Sequence, residues 1–245
     1  MKNLYLKNLD VKINLGDLIG IVGSNASGKT VLLKKIMGRI KNTDIYLDDK
    51  NINEYDIDFK KNNIVCVFDD NLYNCSNVYD ELKYYLEKLN IFYEERINDF
   101  ISYFMLNDII DKDFIDLDTE SRVYIKILSL LIINPLIICI DDLLTYLSLE
   151  NKTKVLNYIK ENNITLLNVT SNMEELLMVD KMLVLSKGEK VIFDKIENVL
   201  KDEDVFKENG FELPYIYELN SLLKSYQLIN EEHVVYKELV NMLWK

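Results

Sequence analysis

Residues 17–38 read DLIGIVGSNASGKTVLLKKIMG and carry the strongest structural signal in the chain. The run DLIGIV (17–22) is short and apolar, which is typical of a buried strand in a parallel sheet. A loop bounded by glycines follows, and TVLLKKIM (30–37) then has the apolar spacing of a helix that ends at Gly38. The loop fits the pattern G-x-x-x-x-G-K-[ST] and lies between a strand and a helix, as this motif requires.

The loop residues have the chemistry needed to hold the phosphates of a nucleotide. Glycines let backbone N–H groups wrap the β-phosphate, and the helix N-terminus adds partial positive charge. Lys29 would reach the β- and γ-phosphates, and Thr30 would offer its hydroxyl to Mg²⁺. The alternative is a chance glycine turn before a helix. The predicted nucleotide-binding residues are Gly23, Ser24, Asn25, Ala26, Ser27, Gly28, Lys29 and Thr30.

A second part of such a site is an acidic residue at the end of another buried strand. Asp141 follows the apolar run LIICI (136–140), and Asp142 comes directly after it. Carboxylates suit Mg²⁺, so Asp141 is the predicted metal ligand together with Thr30. The alternative is that both acids cap a strand end at the surface.

The composition indicates a folded, acidic protein. The 245 residues carry a formal net charge of −12, and 49% are hydrophobic, enough for an ordinary core. A nucleic-acid-binding surface needs basic stripes, so the acidic balance argues against that class of partner. Five of the seven glycines lie between residues 16 and 38, and the only histidine is His233.

The cysteines and the apolar segments favour a cytoplasmic location. The three cysteines show no C-x-x-C spacing, and their odd number suits a reducing compartment. The first fifteen residues alternate polar and apolar side chains and lack the apolar core of a signal peptide. The most apolar stretch, 125–140, is interrupted by Lys126, Ser129 and Pro135, so it predicts a buried helix, a break and a buried strand.

The remaining pattern predicts an α/β fold with a parallel sheet. Helical periodicity dominates residues 77–130, a helix is predicted at 151–162, and the last fifty residues are mainly helical. The strand–helix alternation indicates a parallel sheet with a helical insertion. Further strands are predicted at 63–68, 136–141, 164–170 and 181–186.

Several stretches resemble an ATP-binding-cassette (ABC) ATPase, and in particular the ATPase subunit of an energy-coupling factor (ECF) transporter. The resemblance covers essentially the whole chain. Its segments are the phosphate-loop region 7–38, IVCVFDDNLY and NVYDEL (64–73, 77–82), NPLIICIDDLLTYLS (134–148), the stretch 166–194, and NGFELPYIYELNSLLKSYQLI with YKELVNML (209–229, 236–243).

The resemblance implies a P-loop NTPase fold of the ABC type. An ATP-binding domain would span residues 1–195, with a helical subdomain at about 70–132, and a small, mainly helical extension would span 196–245. It also implies ATP and Mg²⁺ as cofactors, and a second ATPase subunit and a transmembrane subunit as partners. The chain itself would be a cytoplasmic, peripheral protein on the inner face of the cell membrane. In the family, two ATPases enclose two ATP molecules, each between one subunit's phosphate loop and the other's signature loop.

The sequence departs from the family pattern where hydrolysis is organised. The LSGGQ signature position holds LDTES (117–121), and a carboxylate about 5 Å from a phosphate charge costs about 3 kcal/mol at an effective dielectric near 20. This loop should repel nucleotide unless its carboxylates turn away. Asp69 stands at the Q-loop glutamine position, Asp142 at the catalytic glutamate position and Ser171 at the switch histidine position. The N-terminus also lacks the aromatic residue that stacks on adenine, since Tyr5 does not fall there.

These departures favour a heterodimer with a more complete ATPase. One site would combine Lys29, Thr30, Asp141 and Asp142 with the partner's signature, and would hold ATP but hydrolyse it poorly. The other would combine LDTES with the partner's catalytic residues. Two alternatives remain open: a regulatory subunit in which ATP only stabilises assembly, and a scaffold that binds no nucleotide.

Two minor features complete the predictions. Four acidic residues would line a groove for basic segments of a membrane subunit, or simply form a solvated surface: Asp69, Asp70, Asp80 and Glu81. In the tail, His233 is expected on a solvated helix face without a function, and Trp244 is expected to anchor the packing of the extension.

Overall fold

The computed structural model describes residues 3–69, 73–200, 206 and 208–229. The strands are β1 (Asn3–Leu6), β2 (Val11–Asn14), β3 (Leu18–Gly23), β4 (Ile45–Leu47), β5 (Lys50–Asn51), β6 (Ile64–Val67), β7 (Ile137–Asp141), β8 (Thr165–Val169), β9 (Lys181–Ser186) and β10 (Glu189–Lys195). The α-helices are α1 (Lys29–Ile36), α2 (Ile57–Asn63), α3 (Val78–Lys88), α4 (Glu94–Phe104), α5 (Thr119–Leu131), α6 (Leu149–Glu161), α7 (Ile196–Val199) and α8 (Tyr215–Ser225).

A six-stranded sheet forms the centre of the molecule, in the order β10-β9-β3-β8-β7-β6. The four pairings among the strands β9, β3, β8, β7 and β6 are parallel, and only β10 is antiparallel to its neighbour. All five strands predicted from apolar runs are present, which confirms the parallel α/β sheet. Because parallel strands end at the same edge, the residues after β3, β6, β7 and β8 are brought together there.

A smaller antiparallel sheet, in the order β2-β1-β4-β5, was not predicted. Leu4 pairs with Ile13 across β1 and β2, and both side chains are fully buried. The polar–apolar alternation of the first fifteen residues is the pattern of such half-buried strands. Tyr5 points away from the buried side, and its hydroxyl donates to Asp10 Oδ1 at 3.4 Å.

Three helices, α3 to α5, form the helical subdomain, within the predicted interval 70–132. Their apolar faces join one side of the large sheet in a single core, in which Leu82, Phe104 and Leu128 are buried. On α5, the buried residues recur at helical spacing, and the helix ends before Asn134-Pro135, because proline cannot continue it. The predicted helix, break and strand at 125–140 are therefore confirmed.

The segment after β10 contains α7 and α8. Ile216 and Asn220 are the buried residues of α8. His233, Trp244 and the segment 236–243 lie outside the described residues, as does Asp70. The domain limits at 195 and 196 stay predictions. Within the described ranges, no helix is both long and apolar enough to span a membrane.

Candidate nucleotide-binding site

The phosphate-loop residues connect the end of β3 to the start of α1. Gly28 directly precedes α1 with φ +99°, a left-handed conformation that residues with a side chain rarely adopt. A Cβ on Gly23 would overlap Ser27 Oγ and lie 2.5 Å from the Leu185 carbonyl oxygen. The loop therefore requires glycine at both positions, for conformation at Gly28 and for space at Gly23.

Lys29 folds back over this loop. Its ammonium donates to the carbonyl oxygens of Gly23 at 2.6 Å and Ser24 at 3.0 Å. Burial lowers the pKa of Lys29, and the negative charges of Asp141 and Asp142 partly oppose that shift. The lysine charge is thus held at the mouth of the loop, facing the two carboxylates.

The predicted metal ligands are in direct contact. Thr30 Oγ1 donates to Asp141 Oδ2 at 3.0 Å, across from α1 to the end of β7. Burial raises the pKa of Asp141, while the Thr30 hydrogen bond acts in the opposite direction. A hydroxyl and one carboxylate fit Mg²⁺, which binds few protein oxygens and keeps waters and phosphates as its other ligands. Among the described residues, no group of three or more His, Cys, Asp or Glu forms an alternative metal cluster.

Asp142 and Ser171, predicted for the catalytic glutamate and switch histidine positions, are also in contact. Asp142 has φ +58°, and its amide donates to the Val169 carbonyl at 2.8 Å. The Ser171 amide donates to Asp142 Oδ1 at 3.1 Å, and its hydroxyl is 3.0 and 3.1 Å from the two carboxylate oxygens. Adjacent parallel strands β7 and β8 end beside each other, which brings the two residues together. No pattern in the sequence predicts that the serine holds the aspartate.

Asp69 follows β6 by two residues and is exposed. In the β6–β7 register, Val67 lies opposite Ile140. Asp69 therefore lies at the same edge of the sheet as Asp141. Its neighbours 70–72 are outside the described residues. Its role at the Q-loop position remains a prediction.

The two carboxylates of LDTES (117–121) accept hydrogen bonds from other groups of the same chain. Asp118 precedes α5 and accepts a hydrogen bond from the Ser121 amide at 2.7 Å, which lowers the pKa of Asp118. Glu120 accepts from the Ser148 amide at 2.8 Å and from Asn151 Nδ2 at 2.7 Å, and these bonds lower its pKa. Both groups therefore remain charged, and both are anchored to the start of a helix.

The prediction that Glu81 lines an exposed acidic groove is wrong. This side chain is 2% exposed and accepts hydrogen bonds from the amides of Asn74 and Cys75 at 2.8 and 2.9 Å. It fixes the loop before α3 because its carboxylate satisfies buried backbone donors. The cavity beside it, of about 610 Å³, is lined mainly by lysine, tyrosine and asparagine side chains, including Lys61, Lys88 and Tyr85, and also by Asp58.

Comparisons with known proteins agree with this geometry. Residues 6–145 match the ABC transporter family. The ECF transporter ATP-binding protein EcfA1 of Mycoplasma mobile is 30% identical over 229 residues, covering 88% of this chain and 84% of that protein. EcfA1 of Oenococcus oeni is 25% identical over 252 residues, covering 98% and 91%.

The fold has solved counterparts. The structure of cbiO1 from Clostridium perfringens, described as part of the ABC transporter complex cbiONQ, superposes with a TM-score of 0.72 at 20% identity. The match covers 89% of this chain and 99% of that chain. The match over more than half the chain, together with the M. mobile relative, shows that the chain belongs to the ABC transporter family, as an ABC-type ATPase of the ECF ATP-binding branch.

Proposed function

We propose that the chain is the ATP-binding subunit of an ECF-type transporter, in which ATP binding and hydrolysis by an ATPase dimer drive solute uptake. The observation that carries the proposal is the contact between Thr30 and Asp141, made beside a phosphate loop whose lysine faces the same carboxylate. Strand, loop and helix together supply backbone donors, a cation and two hard oxygen ligands at one edge of the sheet.

The chain's own groups define the ATP subsite. Residues 23–28 present backbone donors to the phosphates, and Lys29 supplies a positive charge that can move from the loop carbonyls to the phosphate oxygens. Thr30 and Asp141 would hold Mg²⁺, which, when bound, neutralises phosphate charge. Asp142 is the candidate base, and Ser171 keeps its carboxylate beside the loop.

The partner arrangement follows from the carboxylates of residues 117–121. A homodimer would place Asp118 and Glu120 at both nucleotide sites, since each site combines one subunit's phosphate loop with the other's signature segment. A heterodimer with a second, more complete ATPase places them at one site only. The intact partner signature then completes the site that contains Lys29, which holds ATP and turns it over slowly.

The membrane subunit is expected to dock near the helical subdomain. The cavity lined by Lys61, Lys88 and Tyr85 lies between α2 and α3, and Asn74, in the loop before α3, also lines it. A segment that enters there would sense movement of that loop. In the proposed arrangement, the chain is a peripheral subunit on the cytoplasmic face of the membrane.

The test is a titration of the purified full chain with fluorescent ATP and Mg²⁺, repeated with Lys29→Ala. We expect Lys29→Ala to weaken binding by about tenfold or more, because a phosphate loses its charge-assisted partner. The matched control is Lys35→Ala, on the same helix but with its ammonium 3.9 Å from Asp44. Absence of saturable binding by the wild type, or equal losses in both variants, would contradict the proposal.

A second measurement separates a working ATPase from a regulatory subunit. ATPase rates of the purified transporter complex are compared with and without Asp142→Asn. A slow residual site predicts a small change in the total rate, because most turnover occurs at the partner's catalytic residues. A collapse of the rate would place the active site on this chain. A complex with no hydrolysis at all would support the regulatory alternative.

A further inference from the structure

The turn that carries Ser171 is closed at its base by a buried carboxylate. Glu175 lies in a 3-10 helix, Met173–Met178, and is 3% exposed. Its Oε2 accepts a hydrogen bond from Asn168 Nδ2 at 3.1 Å. Asn168 is on β8, three residues before Ser171, and Glu175 comes four residues after it. The bond therefore joins the two ends of the turn 169–174.

The same carboxylate is anchored to a neighbouring helix. Glu175 Oε1 is 2.9 Å from Lys152 Nζ, in the first turns of α6, and the Lys152 side chain is 11% exposed. Leu176, the next residue, is fully buried and packs so closely on β3 that a Cβ on Gly20 would lie 2.7 Å from it. The base of the turn is thus fixed both to the helix layer and to the sheet.

A buried ion pair of this kind gives little net stability. Desolvation of both charges offsets their attraction, and apolar replacements of similar size are often neutral. A role in geometry is the better explanation for such a pair, because two charged groups with directional hydrogen bonds define one arrangement of the chain.

At the top of the turn, Ser171 contacts the candidate base, Asp142. Ser171 donates from its amide and its hydroxyl to the Asp142 carboxylate. The Asp142 side chain is one methylene shorter than glutamate, so its reach depends on where it is held. A shift of the turn would move both donors and release the carboxylate to other rotamers.

We propose that Glu175 is a positioning residue that fixes the Asp142 carboxylate through the turn 169–174 and Ser171. The inference rests on the proposed function only in assigning Asp142 to the nucleotide site. Lys152 and Asn168 hold Glu175, Glu175 holds the turn, and Ser171 holds Asp142.

The first experiment measures the turn itself, without nucleotide. The exchange rate of the Ser171 amide hydrogen is measured by NMR in the full chain and in Lys152→Met/Glu175→Leu. We expect exchange at Ser171 to become about tenfold faster while the Tm stays close to the wild-type value. An unchanged exchange rate would overturn the proposal. If the double variant does not fold, Glu175→Gln is measured instead; it removes the charge with little change of shape, and unchanged exchange at Ser171 is again the contrary result.

The matched control removes an ion pair at the opposite edge of the sheet. Lys181 Nζ is 2.5 Å from Asp17 Oδ2, where β9 and β3 begin, and both side chains are 21% exposed. Asp17→Asn/Lys181→Met should leave exchange at Ser171 within about twofold of the wild type, since it does not touch the turn. Equal acceleration in both double variants would show a general loss of stability and refute a specific role for Glu175.

The second experiment measures catalysis in the purified transporter complex, with this chain's site isolated by inactivating the partner's. We expect Lys152→Met/Glu175→Leu to lower kcat about tenfold and to leave KM for ATP within about twofold, because ground-state phosphate contacts are intact. Ser171→Ala should have a similar effect, and the triple variant should lose no more. If the losses of kcat in the double variant and in Ser171→Ala add up in the triple variant, Glu175 does not act through Ser171. A wild-type chain that binds no ATP would refute the proposed function, while the exchange result would still decide the role of Glu175.

Discussion

The N-termini of α1 and α5 differ in whether a side chain of the chain itself caps their free backbone N–H groups. Gly28 precedes α1 without a capping side chain, the first turn holds no acidic residue, and Lys29 adds a positive charge. Asp118 precedes α5, caps it by accepting from the Ser121 amide, and Glu120 lies in its first turn. A helix N-terminus attracts anions, so α1 remains open to a phosphate, whereas α5 already has a carboxylate there.

This difference separates the two half-sites that one ABC-type subunit contributes to a dimer. The phosphate-loop half has the residues that the family motif requires for contact with the phosphates, together with the contact between Thr30 and Asp141. The half formed by residues 117–121 has exchanged two glycines for hydrogen bonds within the chain. In the proposed dimer, we therefore expect the chain to hold its own ATP and to close poorly over its partner's.

The largest expected effect comes from filling the phosphate loop. Gly23→Val should abolish detectable ATP binding, a loss of about 100-fold or more, because the side chain would overlap Ser27 Oγ and the Leu185 carbonyl. Gly210→Ala is the control, since its Cβ would meet nothing within 4 Å. Its left-handed φ of +72° should lower the free energy of unfolding by about 1 kcal/mol without changing ATP binding. Isothermal calorimetry and chemical denaturation measure both, and ATP binding by Gly23→Val would contradict the prediction.

The second prediction concerns the charge at the start of α5. Asp118→Ser/Glu120→Gln keeps hydrogen-bonding groups at both positions but removes two negative charges. In the purified transporter complex, at low salt, we expect ATP affinity at the partner's phosphate loop to rise by about tenfold. The gain should shrink at high salt because exposed charges are screened. An unchanged affinity at both salt concentrations would mean that these carboxylates do not face the nucleotide.

The third prediction uses the raised pKa of Asp141. A carboxyl whose pKa is higher in the folded state destabilises the fold once it is ionised, so stability falls as the pH rises above the unfolded value. Asp141→Asn should therefore raise the Tm at pH 7 by about 3 °C and lose this advantage as the pH falls through the raised, folded-state pKa of the wild-type carboxyl. The same variant should lose the dependence of ATP binding on Mg²⁺. A lower Tm of Asp141→Asn than of the wild type at pH 7 would contradict the predicted direction of the effect.

The smallest effect is expected from removing the cap of α5. Asp118→Ala should lower the free energy of unfolding by about 1 kcal/mol, as measured by urea denaturation. Because the pKa of Asp118 is lowered in the folded chain, its contribution is present above the unfolded pKa. It is lost as the pH falls through the folded pKa. Asp111→Ala, an exposed position in the same subdomain, serves as the control. A constant difference from pH 7 to pH 2 would mean that the charge of Asp118 does not matter.

Much of the architecture was accessible from local pattern. The apolar runs located β3, β6, β7, β8 and β9, because strands buried on both faces are continuously apolar. The helix signals placed α1, α3, α5 and α6. The small antiparallel sheet was missed because β4 and β5 are three and two residues long. They are defined by their pairing with β1 and with each other rather than by a pattern of their own.

The site divides in the same way. The pairing of Thr30 with Asp141 beside the predicted phosphate loop could be anticipated from the sequence, because the motif requires these residue types after two strands of the same parallel sheet. Glu81 was misplaced as a surface acid, since burial depends on the loop that folds over it. The contacts Ser171–Asp142, Glu120–Ser148 and Glu175–Lys152 join residues more than twenty positions apart, and sequence periodicity has no signal for them.

The amino-acid sequence by itself thus predicted a phosphate-binding loop at the end of a parallel strand and showed that the residues usual at the hydrolytic positions are replaced. Only the folded arrangement showed how the replacements are used. Ser171 holds the Asp142 carboxylate, Glu175 closes the turn beneath Ser171, and Asp118 and Glu120 form hydrogen bonds at helix starts. The physical reason is that residue type determines which bonds a side chain can form, while its partner is selected by which strand ends and helix starts the fold brings within hydrogen-bonding distance.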